Sequence, residues 1–459
     1  MNNVTDPFVL SVVGHTNTGK TSLLRTLLRD SEFGEVKNAS ATTRHVEAVQ
    51  ILSEHGQPLL VLHDTPGLED ATGVMNYLHE HTDARFDGVE RLHQFLAAVH
   101  HQDANLTDDF SQEAKVIRSL LDADVALYVI DAREPVLSKY KDELAILASS
   151  GTPILPVFNF IKGNEQNMHN WREMLSRRAL HISSVFDTVA FEFDAEMSLW
   201  HHLAILSNHQ NIKQLQQERQ DNWQRLQETG SLLIADFLIN VASFSQKISE
   251  NDDPTPTLSL MQNSVRQAQT ILHDKLLNLY KFYHIQINDQ QIDILGQEQD
   301  IFDGELLTRY GIRTAGGSAA GMIIGAGIDI ATFGASLGLG TAVGGLLGGL
   351  LPNTSTIKDK ATGVKTLMID EATLTLLAAQ AQNLHYNLRH RGHASLNAIT
   401  TEHHALPWQT GKMPKSLKKA RSLPHYSSLT LGYDEKANLR KTLADELAEV
   451  LDEHLAQLP

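Results

Sequence analysis

Eight consecutive residues, Gly14-His15-Thr16-Asn17-Thr18-Gly19-Lys20-Thr21, follow the pattern G-x-x-x-x-G-K-[ST]. Gly14 and Gly19 let the backbone curl until successive N–H groups point at one anion. A helix starting near Lys20 adds its positive dipole end. The Lys20 ammonium can neutralise β- and γ-phosphates, and the Thr21 hydroxyl can ligate Mg²⁺. Residues 14–21, with Ser22 behind them, are therefore the candidate nucleotide-contacting set.

A second element lies downstream, His63-Asp64-Thr65-Pro66-Gly67, directly after an apolar run. Asp64 stands where a carboxylate holds Mg²⁺ through water. Gly67 can present its backbone N–H to a γ-phosphate oxygen. A turn that feels the γ-phosphate is the physical basis of a switch, ordered by triphosphate and released after hydrolysis.

These residues need a scaffold that holds two loops at one edge. Residues 8–13 form a β-branched run that enters Gly14, and a helical stretch over 21–28 follows. Further β-rich segments lie at 46–52, 59–63, 125–131 and 153–158, with a sixth candidate at 189–193. Helical patterns at 108–121 and 139–148 separate them. Strands alternating with helices imply an α/β fold, a mostly parallel sheet covered on both faces. This first domain, 1–208, carries a long span at about 70–112 that reads as a helical insertion.

Between the two loops lies Ala41-Thr42-Thr43-Arg44-His45, and further on the strand Ala123-Asp124-Val125-Ala126-Leu127-Tyr128-Val129-Ile130-Asp131-Ala132. In these stretches and the two motifs, residues 8–208 resemble the TrmE–Era–EngA group of bacterial P-loop GTPases. The resemblance implies a P-loop G domain binding GTP or GDP with Mg²⁺. It places the switch threonine that closes on the metal at Thr43, with Thr42 the near alternative. Catalysis then falls to Lys20, Thr43 and Gly67, and metal binding to Thr21, Thr43 and Asp64. The whole chain further resembles bacterial GTPases whose helical C-terminal half is a domain of unknown function with a glycine-rich apolar segment.

Two departures from the group matter. The guanine-reading motif Asn-Lys-x-Asp is expected after the fifth strand, where this chain reads Asn159-Phe160-Ile161-Lys162. Asn159 can still contact a base, but the discriminating carboxylate is missing, which leaves ATP open beside GTP. Asp194 lies near the place of the group's last base-contacting loop. In addition, Leu68 follows Gly67 where a Ras-like enzyme has a water-orienting glutamine. Some relatives with an apolar residue here use K⁺ and dimerisation. Their potassium-binding asparagine falls on Asn17. Slow hydrolysis raised by K⁺ or a partner is expected, with a homodimer through the G domain as one form of it.

The second half, 209–459, reads as an α-helical domain. Ile212, Leu215, Trp223 and Leu226 recur at helical spacing, 232–244 and 257–283 look helical, and so does 364–390. An amphipathic helix led by Asp434 ends the chain. Residues 315–351 hold twelve of the chain's 29 glycines, with Asp329 the only charge between Arg313 and Lys358. Gly317/Gly321/Gly325 and Gly340/Gly344/Gly348 form four-residue ladders that allow close helix approach. A helical hairpin turning near 329–333 fits, either buried in protein or in contact with a membrane. The basic stretch from Lys412 to Arg421 can meet anionic lipid or RNA, or stand solvated.

Composition narrows the alternatives. With 459 residues the chain is long enough for two or three domains. Cysteine is absent, which excludes disulfides, thiolate metal sites and a cysteine nucleophile. The histidine pairs lack the partners of a metal site. The net charge of -17 makes a general polyanion binder a poor fit, so nucleic acid or a ribosome is the weaker partner class. The first residues show no basic stretch leading into an apolar core, so a cytoplasmic protein is expected, with peripheral or integral inner-membrane contact through 315–351. Three readings follow: a GTPase switch with a helical module for a membrane or partner, a membrane-associated scaffold or pore-like protein that binds nucleotide without turnover, and a ribosome or RNA assembly GTPase.

Overall fold

Apolar strands alternating with amphipathic helices build the first half of the chain. Strand β1 (Phe8–Val13) enters the glycine loop and α1 (Lys20–Leu28), followed by β2 (Glu47–Leu52) and β3 (Pro58–Asp64). Helices α2 (Ala71–His81), α3 (Gly88–His100) and α4 (Ser111–Leu121) precede β4 (Val125–Asp131). Then come α5 (Ser138–Ser149), β5 (Ile154–Asn159), α6 (Glu165–Ser176), β6 (Ser184–Val185) and α7 (Phe193–Ser207). The computed structural model describes residues 6–30, 47–83, 85–100, 110–249, 251–283, 302, 310, 312, 328–331, 364–393, 395, 406–409, 412–430, 433 and 438–458.

The sheet has six strands in the order β2-β3-β1-β4-β5-β6. All neighbours are parallel except β2, which runs antiparallel to β3. Central β4 is buried along its whole length, as an unbroken apolar run requires when helices cover both faces. Leu10 and Val12, with Val125, Leu127 and Val129, face Leu23, Leu24 and Leu27 of α1 and Leu199, Trp200 and Leu203 of α7. The alternate residues Ala126, Tyr128 and Ile130 meet Val116 and Leu120 of α4, Leu144 and Leu147 of α5 and Trp171 of α6. A third cluster joins α2 and α3 to α4 and α5 through Val74, Leu92, Phe95, Ile117 and Ile146. In the span 70–112, α2 and α3 are thus helices packed against α4 and α5. Buried Glu196 of α7 holds Arg29, just past α1, at 2.8 Å and accepts from Trp200 Nε1.

The chain divides into two compact units, Met1–Gln224 with Arg389–Asn397, and Arg225–Leu388 with Ala398–Pro459. Asn208 turns α7 into α8 (Gln210–Ser243), one 34-residue helix where the sequence suggests two. The first unit continues past 208 to Gln224.

The second unit is mainly helical, as expected, and adds three short strands among the described residues. Helices α9 (Thr255–Leu279), α10 (Glu371–Arg389), α11 (Lys415–Arg421) and α12 (Asn438–Leu455) accompany three strands, β7 (Ser245–Ser249), β8 (Ile328–Ala331) and β9 (Val364–Ile369). They form an antiparallel sheet in the order β7-β9-β8. Two expectations change as a result. Residues 364–369 are strand rather than helix, because Asp370 ends β9 and accepts the Thr373 N–H that opens α10. Residues 328–331, which include Asp329, are strand rather than a turn between helices. The rest of 315–351, its glycine ladders included, lies outside the described residues, as do Asp434 and the segment 41–45. The sixth strand is also displaced. It is Ser184–Val185, not 189–193, because Phe193 opens α7.

Helix α10 is buried around most of its circumference despite its polar residues. Gln269 Nε2 donates to Gln380 Oε1 at 3.0 Å, Gln382 Nε2 to the Leu451 carbonyl at 2.9 Å, and Tyr280 Oη lies 2.8 Å from His385 Nε2. The leucine stripe of α12 is a packed face, with Leu443, Leu447, Leu451 and Leu455 buried. In the basic stretch Leu417 and Ala420 are buried while Lys415, Lys418 and Lys419 are exposed. Among the described residues no helix is long and apolar enough to cross a membrane.

Candidate nucleotide-binding site

The parallel strands bring their carboxyl ends to one edge, which is where open α/β sheets bind ligands. There the loop 14–19 curls through three residues of positive φ: Gly14 at 145°, Asn17 at 64° and Gly19 at 92°. Asparagine is among the few non-glycine types that tolerate this conformation. At Gly19 space is as decisive as φ. A Cβ would overlap Asn159 Nδ2 and stand 3.2 Å from the Phe160 ring.

Lys20 folds back over the loop. Its Nζ donates to the Gly14 and His15 carbonyls at 3.1 and 2.8 Å. Burial pushes its pKa down to about 8, although Asp64, Glu143 and Glu69 pull the other way. Thr21 Oγ1 donates to Asp64 Oδ2 at 2.7 Å. A hydroxyl and a carboxylate side by side beside a phosphate loop are the hard oxygen donors that Mg²⁺ takes together with substrate phosphates. Ser22, next on α1, accepts the Thr26 hydroxyl at its carbonyl.

The Asp64-Thr65-Pro66-Gly67 turn is fastened to the loop. Thr65 Oγ1 donates to the Val12 carbonyl at 2.7 Å, and Leu68 N to the Gly14 carbonyl at 3.3 Å. Thr16 Oγ1 donates to Glu69 at 2.8 Å. Gly67 lies so close to Thr16 that a Cβ would stand 2.6 Å from its nitrogen and 2.8 Å from its Cα. Thus residue 67 cannot move toward the loop without pushing residue 16, and it can separate from the loop only by withdrawing.

A partly buried hydrogen-bond network that the sequence does not announce backs this contact. His15 Nδ1 lies 2.9 Å from the Leu68 carbonyl and 2.8 Å from Glu143 Oε1. Both partners only accept, so Nδ1 carries the proton. Lys139 Nζ donates to Nε2 at 2.8 Å. Tyr128 Oη donates to the other Glu143 oxygen at 2.8 Å. Burial and the adjacent carboxylate push the Tyr128 phenol well up, which keeps it a donor. Fully buried Glu143 is thereby satisfied on both oxygens. The signal was available in sequence only as a histidine inside the loop, with nothing to say what it met.

At the opposite end of the loop, Asn159 is a staple. Its Nδ2 donates to the Thr18 carbonyl at 3.1 Å. Its Oδ1 accepts from Thr188 N at 3.1 Å and Thr188 Oγ1 at 3.2 Å. Asn159 therefore ties the phosphate loop to the loop after β6. Phe160, at φ 55°, lies beside Gly19 with the Arg133 guanidinium 4.1 Å over its ring. Asp131 fixes that guanidinium at 2.7 Å. Lys162 is exposed, and Asp194 is exposed in the first turn of α7. A cleft of about 480 Å³ opens along residues 15–18, walled by Glu69, Arg133, Glu134 and Lys139. Thr43 lies outside the described residues. Among the described residues no cluster of His, Asp or Glu could hold a metal by side chains alone.

Fold and loop together define a P-loop G domain of the Era/EngA-like class. Residues 172–449 match the family described as a domain of unknown function (DUF3482), and the chain belongs to that family. Residues 9–160 match the family described as 50S ribosome-binding GTPase. Among curated relatives, GTPase Der of Gloeobacter violaceus is 26% identical over 176 residues, covering 37% of this chain and 31% of that protein. GTPase Era of Campylobacter hominis is 28% identical over 109 residues, covering 24% of this chain and 35% of that protein. The chain thus spans about a third of the length of the curated relatives it matches. Of solved structures, an Aquifex aeolicus Era variant bound to GDP.AlF4- is similar at 20% identity and a TM-score of 0.30, over 43% of this chain and 56% of that one. An Era complex with MgGDPNP and a piece of 16S ribosomal RNA is similar at 18% identity and 0.31, with the same coverage.

Proposed function

We propose that this protein is a GTP-binding switch and slow GTPase built of two domains, the second of which contacts a membrane or a protein partner. The observation that carries the reading is the joint between Gly67 and Thr16, which couples the γ-phosphate side of the site to the loop that grips the β-phosphate. Lys20 binds the phosphates, and Thr21 and Asp64 hold Mg²⁺, which neutralises phosphate charge when bound. Thr43 and Gly67 sense the γ-phosphate. Leu68 is fully buried, and an aliphatic side chain cannot orient water, so intrinsic hydrolysis is slow and depends on what a partner or a K⁺ ion beside Asn17 adds. Membrane contact through 315–351 rests on its glycine-laddered sequence, in which Asp329 is the single charge.

Phosphate release from GTP in Mg²⁺ buffer, with K⁺ against Na⁺, tests the enzymatic part. Turnover below about one per minute in Na⁺, rising severalfold in K⁺, is expected for a site without a water-orienting side chain. Binding with no turnover in either salt would favour a scaffold that uses nucleotide as a structural ligand. The description of the family matched over 9–160 favours a ribosomal partner as the second reading. The net charge of -17 weighs against it. Co-sedimentation with ribosomal subunits is its test.

A further inference from the structure

The loop after β6 is held from a direction the G-domain sequence does not predict. Residues 389–393 lie inside the stretch matched by the C-terminal family, yet Arg389–Asn397 count with the first compact unit. Within that unit they run antiparallel to residues 189–191. Phe191 N donates to the His390 carbonyl at 3.1 Å, and Gly392 N to the Val189 carbonyl at 3.3 Å. Ala190 and Arg391 face each other as the bridged pair. Gly392 is pressed onto the same loop. A Cβ there would overlap the Thr188 carbonyl oxygen, stand 2.7 Å from its carbon and lie 3.4 Å from Thr26 Oγ1 of α1.

Thr188 is the residue that Asn159 staples to the end of the phosphate loop. The connection therefore runs from Gly392 to Thr188, to Asn159, to Thr18. Aromatic packing holds the rest of the loop. The Arg29 guanidinium lies 4.4 Å over the Phe191 ring, Phe193 stacks on Trp223 at 4.7 Å, and the Arg389 guanidinium lies 5.6 Å from the centre of the Trp223 ring. Loop 187–191 stands at the carboxyl edge of the sheet, beside the phosphate loop, where a nucleotide's base is expected.

We propose that residues 389–393 are a strap on the base-facing loop and set how fast nucleotide leaves the site. The inference rests on the nucleotide reading above and adds to it a regulator. Residues 371–388 of α10 count with the second unit, so the strap is continuous in the chain with that helix. An event in the C-terminal region that draws the strap away frees Thr188, loosens Asn159 and opens the base side of the site. An event that seats it traps the nucleotide. Arg391 and Gly392 act here as positioning residues, through Val189 and Thr188.

The chain has no cysteine, which permits a clean test. The two backbone hydrogen bonds flank the Ala190–Arg391 pair and do not join it, the arrangement that brings opposite Cα atoms to about 4.5 Å and suits a disulfide. In the full chain carrying Ala190→Cys and Arg391→Cys, release of mant-GDP and mant-ATP is followed by stopped flow before and after reduction. The oxidised form is expected to release guanine nucleotide at least about fivefold more slowly than the same sample reduced, with little change in association, since such effects fall mainly on dissociation. A second variant, Gly392→Ala, pushes the strap off Thr188 and is expected to speed release about tenfold. Deuterium exchange confined to 187–191 should rise with it. Equal release rates in oxidised and reduced samples, or unchanged release in folded Gly392→Ala, would overturn the strap while leaving nucleotide binding in place. Absence of mant-GDP and mant-ATP binding by the parent chain would overturn the nucleotide reading and the strap with it.

Discussion

Replacing Lys20 by Ala is expected to weaken nucleotide binding by at least about 100-fold, because charge-assisted hydrogen bonds to phosphate contribute about 1.5–3 kcal/mol each. Equilibrium titration with mant-GDP reads the loss, and circular dichroism confirms that the variant folds. Folding should survive, since Lys20 is a buried ammonium whose pKa is pushed down to about 8 chiefly by loss of water. The unfolded chain holds that proton more tightly, so the lysine adds stability only as pH rises from about 8 toward its ordinary 10.5. Phosphate binding has the opposite preference, for the protonated form. Wild-type affinity is therefore expected to fall as pH rises above about 8, with proton uptake on binding in that range. Lys20→Ala should show neither dependence.

Gly67→Ala is expected to separate binding from turnover. The added methyl has no room against the Thr16 backbone, so the turn must withdraw from the loop. GDP contacts through 14–21 remain, and its affinity should stay within about threefold, whereas GTP hydrolysis should drop by about 100-fold, the scale set by removing one aligned backbone donor. Single-turnover phosphate release against mant-GDP affinity measures the two quantities on one sample. Equal losses in both would show that residue 67 supports the loop rather than the γ-phosphate.

Much of the G domain could be read from the sequence because its signals are local. The β-branched runs at 8–13 and 125–131, the glycine spacing and the turn at 64–67 each carry their own pattern, and the structure places Lys20, Thr21, Asp64 and Gly67 together. What escaped depends on partners far apart in the chain. Glu143 meets His15 across 128 residues, and Thr188 meets Asn159 across 29. Asn159 looks like a base contact in sequence, while its amide is engaged in stapling two loops. The apolar run 189–193 suggested a strand, but its backbone pairs with Arg391, which no periodicity announces. In the second unit, three short strands hid among long helices. β8 is four residues long, and β9 runs directly into the cap of α10.

Calorimetric titration of the wild-type chain with GTP, GDP, ATP and ADP, each with and without Mg²⁺, bears on everything above. Saturable one-to-one binding of guanine nucleotide is predicted, with Mg²⁺ tightening GTP more than GDP if Thr21 and Asp64 hold the ion, since it would neutralise the additional γ-phosphate charge. Discrimination against adenine should be modest, since Lys162 stands where the discriminating carboxylate is missing. Heat of mixing alone for all four nucleotides would contradict the account, as would binding that survives unchanged in Lys20→Ala.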